Sequence, residues 1–121
     1  MAAKRVAILG ASNNEQRYSY KALKMLQEYG HVPLLVSPSY ETIESLPVHK
    51  KLSELSDVDV LTVYVGPKVS DKLTDEIIKL KPKRVIFNPG SENDHLMKKL
   101  MAENIPVEQA CTLVLLRTGQ F

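Results

Sequence analysis

The sequence predicts an α/β domain built as a doubly wound parallel sheet. Two observations carry that expectation. Short, almost continuous apolar runs recur along the chain, RVAIL at 5–9, VPLLV at 32–36, DVLTVYV at 59–65 and RVIF at 84–87. Such runs mark strands covered on both faces. Between them apolar residues return at helical spacing, and strands alternating with helices require right-handed crossovers and parallel pairing.

The elements follow in order. The run 5–9 ends at Gly10 and reads as the first strand. A polar stretch, 11–17, leads to Tyr18, Ala22, Leu23, Leu26 and Tyr29 on one helical face, and Gly30 stops that helix. The second strand, 32–36, is closed by Ser37-Pro38-Ser39. From Tyr40 to Ser56 the pattern weakens; 47–50 reads as a short edge strand and 52–55 as a helical turn. The run 59–65 is a central strand closed by Gly66-Pro67, and Val69, Leu73, Ile77 and Leu80 mark the inner face of the next helix. Asn88-Pro89-Gly90 closes the strand 84–87. Ser91 and Asp94 stand at capping-box spacing before a helix carrying Leu96, Met97, Leu100 and Met101. Residues 105–107 form a last short strand, and the nearly all-apolar 111–116 a last helix. That helix packs on the sheet or is hidden in a homodimer contact.

With 47–50 as the third strand, the order becomes the Rossmann-like 3-2-1-4-5-6 in a single domain. The chain has 121 residues, enough to bury a core without disulfide staples. Lys and Arg number 16 against 14 Asp and Glu, a net charge of +2 that gives no reason to expect nucleic acid or membrane as a partner. A lone cysteine, Cys111, and a short apolar stretch near the N-terminus point to a reducing compartment, with the cytoplasm expected. His31, His49 and His95 lack metal-ligand spacing, and no catalytic triad or paired carboxylates are legible. Cys111, at the start of the last helix, reads as a structural thiol.

In such a sheet the switch point lies between the first strand and 59–65, and ligands bind outside the carboxyl ends of the strands there. The loops concerned are 10–17, 37–40, 66–68 and 88–91. Gly10 lets the backbone turn and approach a ligand, and Gly10-Ala11-Ser12, between strand and helix, offers amides and a hydroxyl to a phosphate. Arg17 and Lys68 are candidate charge partners for it. The loop departs from G-x-G-x-x-G at Ser12 and Glu15, and the second strand ends in Ser37-Pro38 where an NAD site wants an acid for the ribose.

Beyond these readings, the chain resembles the small CoA-binding proteins whose fold matches the N-terminal CoA-binding domain of the succinyl-CoA synthetase α subunit. The matching segments are VAILGAS, SY-KAL-ML-EYGH-V, V-SPSYETI, DVLTVYV-P, VIFNPGSEN and ACTLVLLRTGQF, spanning 6–121. The resemblance implies CoA or acyl-CoA as ligand, with Gly10, Ala11 and Ser12 on its pyrophosphate. It places Ser37, Pro38, Ser39 and Tyr40 along the adenosine end, and Val65, Gly66 and Pro67 on the opposite wall. Ser37 replaces the asparagine frequent in that family. The synthetase carries its catalytic histidine in another domain, so its activity is not implied here. The expected function is a CoA-binding module with no catalytic apparatus. The alternatives are an NAD(P)- or other nucleotide-dependent enzyme or redox sensor, and an interaction subunit with a vestigial site.

Overall fold

The protein is described here, over residues 3–121, by a computed structural model. Its described residues build a seven-stranded sheet flanked by five α-helices. In chain order these are β1 (Arg5–Leu9), α1 (Tyr18–Glu28), β2 (Val32–Val36), β3 (Thr42–Ile43), β4 (Leu46–His49), β5 (Val60–Val63), α2 (Pro67–Lys72), α3 (Thr74–Leu80), β6 (Arg84–Phe87), α4 (Asp94–Ala102), β7 (Val107–Gln109) and α5 (Thr112–Arg117). The strand order is β3-β4-β2-β1-β5-β6-β7, and every pairing except β3–β4 is parallel.

The doubly wound order expected from sequence is present, with β4 in third place. It gains one strand. β3 pairs antiparallel with β4 through Thr42↔Pro47 and Ile43↔Leu46. The turn residues Glu44 and Ser45 both hold positive φ, 52° and 66°. That backbone suits a two-residue hairpin, whose usual Asn-Gly signal is missing from this sequence. Ile43 is fully buried by the turn, and the Tyr20 hydroxyl donates to the Glu44 carboxylate. Pro47, unable to donate to a ladder, is tolerated on this short outer hairpin.

Alternation of side chains splits the core into two layers. One face of the sheet gathers Ala7, Leu9, Val36, Leu61, Val63, Val85 and Phe87 under Ile77, Leu96 and Leu100. The other gathers Val6, Ile8, Leu35, Val60 and Ile86 under Leu23, Leu26, Leu115 and Leu116. α5 therefore packs on the sheet beside α1.

Several boundaries depart from expectation. β5 stops at Val63, although the Tyr64 amide still donates to the Leu9 carbonyl at 2.9 Å, and β7 begins at Val107 rather than at residue 105. The helix expected across 69–80 is broken at Leu73, where the Thr74 hydroxyl donates to the Asp71 carbonyl at 2.8 Å. Val69 is 49% exposed and does not join the inner face. Met101 is also exposed. At α4 the cap is Asn93, whose Oδ1 accepts from the Leu96 amide at 3.0 Å, while the Ser91 hydroxyl donates to the Asn88 carbonyl. Ser91 closes the preceding turn instead of opening the helix. Among the described residues no helix is long and apolar enough to cross a membrane.

Candidate functional site

Gly10 stands where β1 leaves the sheet. Its φ is +95°, a region that side chains rarely adopt. A Cβ there would lie 3.0 Å from Val65 Cγ1 and 3.4 Å from the Tyr64 carbonyl carbon. The end of β5 is thus pressed against the glycine. The amides of Gly10 and Ala11 both donate to the Val36 carbonyl at 3.1 Å, tying the loop to β2. The Asn14 amide donates to Ser12 Oγ, and the Gln16 amide to Asn14 Oδ1. The amides of Ser12, Asn13 and Glu15 are accepted by no protein group among the described residues. α1 starts only at Tyr18, with Arg17 as its N-cap.

Beside this loop a cavity of about 500 Å³ opens at the carboxyl ends of β1, β2 and β5. Gly10, Ser37, Pro38 and Val65, all expected at the site, line it. Ser37 is buried, its Oγ accepting from the Ser39 amide at 3.2 Å. The cavity has further walls that sequence reasoning missed. Lys50 and Lys51 follow β4, Val69 and Leu73 come from α2 and the break after it, and Glu76 and Lys79 from α3. Lys50 Nζ donates to the Tyr40 carbonyl at 2.8 Å and pairs with Glu41 at 3.1 Å. Lys51 and Lys79 have no ion pair among the described residues. With Lys50 paired to Glu41, the unpaired Lys51 and Lys79 against Glu76 leave the cleft with a small positive excess that favours an anion.

The remaining expected residues are distributed around it. Ser12 Oγ and the Tyr40 hydroxyl approach to 3.5 Å, joining the glycine loop to the turn after β2. Gly66 caps α2 and Pro67 is its first residue, beside the cleft wall rather than in it. Arg17 and Lys68 are exposed and outside the cleft lining. The histidines are scattered: the His31 Nδ1 accepts from the Lys4 amide, His49 faces Glu54, and His95 faces Asp71.

On the opposite face of the sheet edge lies a smaller chamber of about 170 Å³, lined by Tyr18, Tyr64, Asn88, Pro89, Cys111 and Leu113. The loop at residue 88, expected along the main crevice, borders this chamber instead. A buried network builds its floor. Asn88 Nδ2 donates to Thr62 Oγ1 at 2.7 Å and to the Val63 carbonyl at 3.0 Å. Asn88 Oδ1 accepts from the Thr112 amide at 2.9 Å, and the Thr62 and Thr112 hydroxyls are 2.8 Å apart. Burial pushes the Tyr64 phenol up to about 12, so it stays protonated at neutral pH. Cys111, the N-cap of α5, is half-buried.

The family described as CoA binding domain matches residues 4–117. A crystal structure of an uncharacterized protein superposes with a TM-score of 0.95 at 36% identity, covering all of both chains. A Pyrococcus furiosus conserved hypothetical protein gives 0.80 at 31% identity over 88% of this chain and 92% of its own. A Thermus thermophilus protein gives 0.88 at 27% identity over 98% and 91%. No curated protein matches the sequence.

Proposed function

The chain belongs to the CoA binding domain family, and from that premise we propose that it binds CoA or acyl-CoA as a module without a reaction of its own. The observation that carries this reading is the lysine-rich cleft beside Gly10, at the carboxyl ends of β1, β2 and β5. It lies at the switch point of the sheet, where such folds take their ligands.

Each part of the ligand then has a counterpart. The pyrophosphate rests on the loop 10–12, where the Ser12 amide, like that of Asn13 just after it, has no acceptor among the described residues. The adenosine end follows Ser37, Pro38, Ser39 and Tyr40 into the cleft. Its 3′-phosphate takes Lys51 and Lys79, which form no ion pair among the described residues. The end of β2 also disfavours NAD. Ser37 occupies the place of the ribose-binding acid, and its hydroxyl is engaged by Ser39. A carboxylate there would repel a 3′-phosphate, so its absence suits CoA.

Native mass spectrometry of the purified protein tests this reading. A retained mass of CoA or an acyl-CoA, or its appearance after incubation with CoA, is expected. Retention of NAD in its place, or failure to hold added CoA, contradicts it.

A further inference from the structure

The two hollows lie on either side of one strand end. Val65 belongs to the apolar layer that borders the lysine-rich cleft, with Leu9, Val36 and Leu52. Tyr64, one residue earlier, belongs to the other layer, with Ala11, Leu115 and Leu116. Both press on Gly10. The cleft and the chamber therefore lie on opposite sides of the β5 end beside the glycine loop, and the arm that joins the phosphates of CoA to its thiol would have to pass from one to the other.

The chamber offers little to a polar group. Asn88 is the amide in its lining, and both ends of that amide are spent on Thr62, Val63 and Thr112. The Tyr64 hydroxyl is buried and has no hydrogen-bond partner among the described residues, the one buried polar group of the lining left to pair with a ligand oxygen. What remains is two aromatic rings, a proline ring, a leucine and the soft sulfur of Cys111. An apolar cavity of about 150 Å³ is enough to hold a benzene molecule. At about 170 Å³ the chamber matches a short alkyl group.

We propose that this chamber takes the acyl end of a short-chain CoA thioester, so that the protein prefers acyl-CoA to free CoA. The assignment rests on the CoA-binding reading above and narrows its ligand class. Tyr18, 64% exposed at the first turn of α1, forms the mouth, and Cys111 and Leu113 form the wall opposite the β5 end.

The test is a calorimetric titration of the full chain with CoA, acetyl-CoA, butyryl-CoA and octanoyl-CoA. Each buried methylene tightens binding about fourfold, so butyryl-CoA is expected to bind tenfold or more tighter than CoA, and octanoyl-CoA to gain nothing further. Cys111→Leu narrows the chamber by two heavy atoms; it is expected to bind CoA as the wild type does and to lose most of the butyryl advantage. Cys111→Ser keeps the volume and is expected to keep the advantage. Tyr18→Ala, at an exposed position where folding is not at risk, opens the mouth and is expected to improve octanoyl-CoA relative to butyryl-CoA. Equal affinities for CoA and butyryl-CoA in the wild type overturn the chamber assignment alone. Binding of neither overturns the CoA reading and the assignment with it.

Discussion

Asn88→Ala removes the side chain that ties the end of β6 to β5 and to the start of α5. The cost can be worked from the groups left behind. Asn88 is 3% exposed and makes three side-chain hydrogen bonds, at 2.7, 3.0 and 2.9 Å. The Val63 carbonyl keeps the Asn88 backbone amide, at 3.3 Å, and the Thr62 and Thr112 hydroxyls keep each other. The Thr112 amide, in a fully buried residue, loses its partner. A buried donor left unsatisfied costs about 1–3 kcal/mol. Lost packing and the weaker hold on Thr62 bring the expected total to about 2–4 kcal/mol. For a domain of this length the whole stability is roughly 6–18 kcal/mol, so the variant still folds at room temperature. Urea unfolding followed by circular dichroism is the assay, with a lower midpoint and an unchanged slope expected. A loss below about 1 kcal/mol would refute the reasoning, because α5 would then be anchored by its apolar contacts alone.

Three further outcomes are expected. Gly10→Ala forces a side chain into positive φ and against Val65 Cγ1; it should lose about 1–3 kcal/mol in thermal unfolding and weaken CoA binding in the same sample. Asp59 accepts from the Arg5 amide at 2.8 Å and pairs with Lys83 at 3.2 Å, which holds its carboxyl below the usual range. A depressed folded pKa contributes stability above the unfolded value and loses it as pH falls through the folded one. Asp59→Asn should therefore be less stable than the wild type at pH 7, with the gap closing below about pH 4; a gap constant with pH in urea titrations would count against the pairing. Cys111→Ser should cost about 1 kcal/mol by denaturant unfolding, the lower end for a half-buried site, since its hydroxyl can reach water.

The legible and illegible parts of the molecule divide by sequence distance. The runs 5–9, 32–36 and 84–87 match the observed strands residue for residue; 5–9 and 84–87 are buried after their first residue, while 32–36 is buried only at its end, Leu35 and Val36. The β3–β4 hairpin was hidden because Glu44 and Ser45 adopt positive φ without the residues that usually announce it. The break at Leu73 was hidden because the apolar spacing of 69, 73, 77 and 80 runs smoothly through it. Gly10 and the turn after β2 were legible from their places at strand ends. Lys51 and Lys79 were not, since the pairing Leu35↔Val48 and the crossover through α3 bring them to the cleft. The chamber depends on Asn88 and Thr112, 24 residues apart. Yet the alternation of Tyr64 and Val65 at a strand end beside a glycine was present in the sequence, and it points to both faces.

The most direct measurement is a paired calorimetric titration of CoA and NAD into the same protein at low salt, repeated with Lys51→Glu/Lys79→Glu. CoA is expected to bind the wild type and NAD to bind far more weakly. The double variant, changed at two exposed side chains, is expected to fold normally and to lose affinity for CoA at least tenfold, with a smaller loss for 3′-dephospho-CoA. NAD binding as tightly as CoA, or CoA binding untouched by the double variant, would contradict the placing of a CoA 3′-phosphate in this cleft.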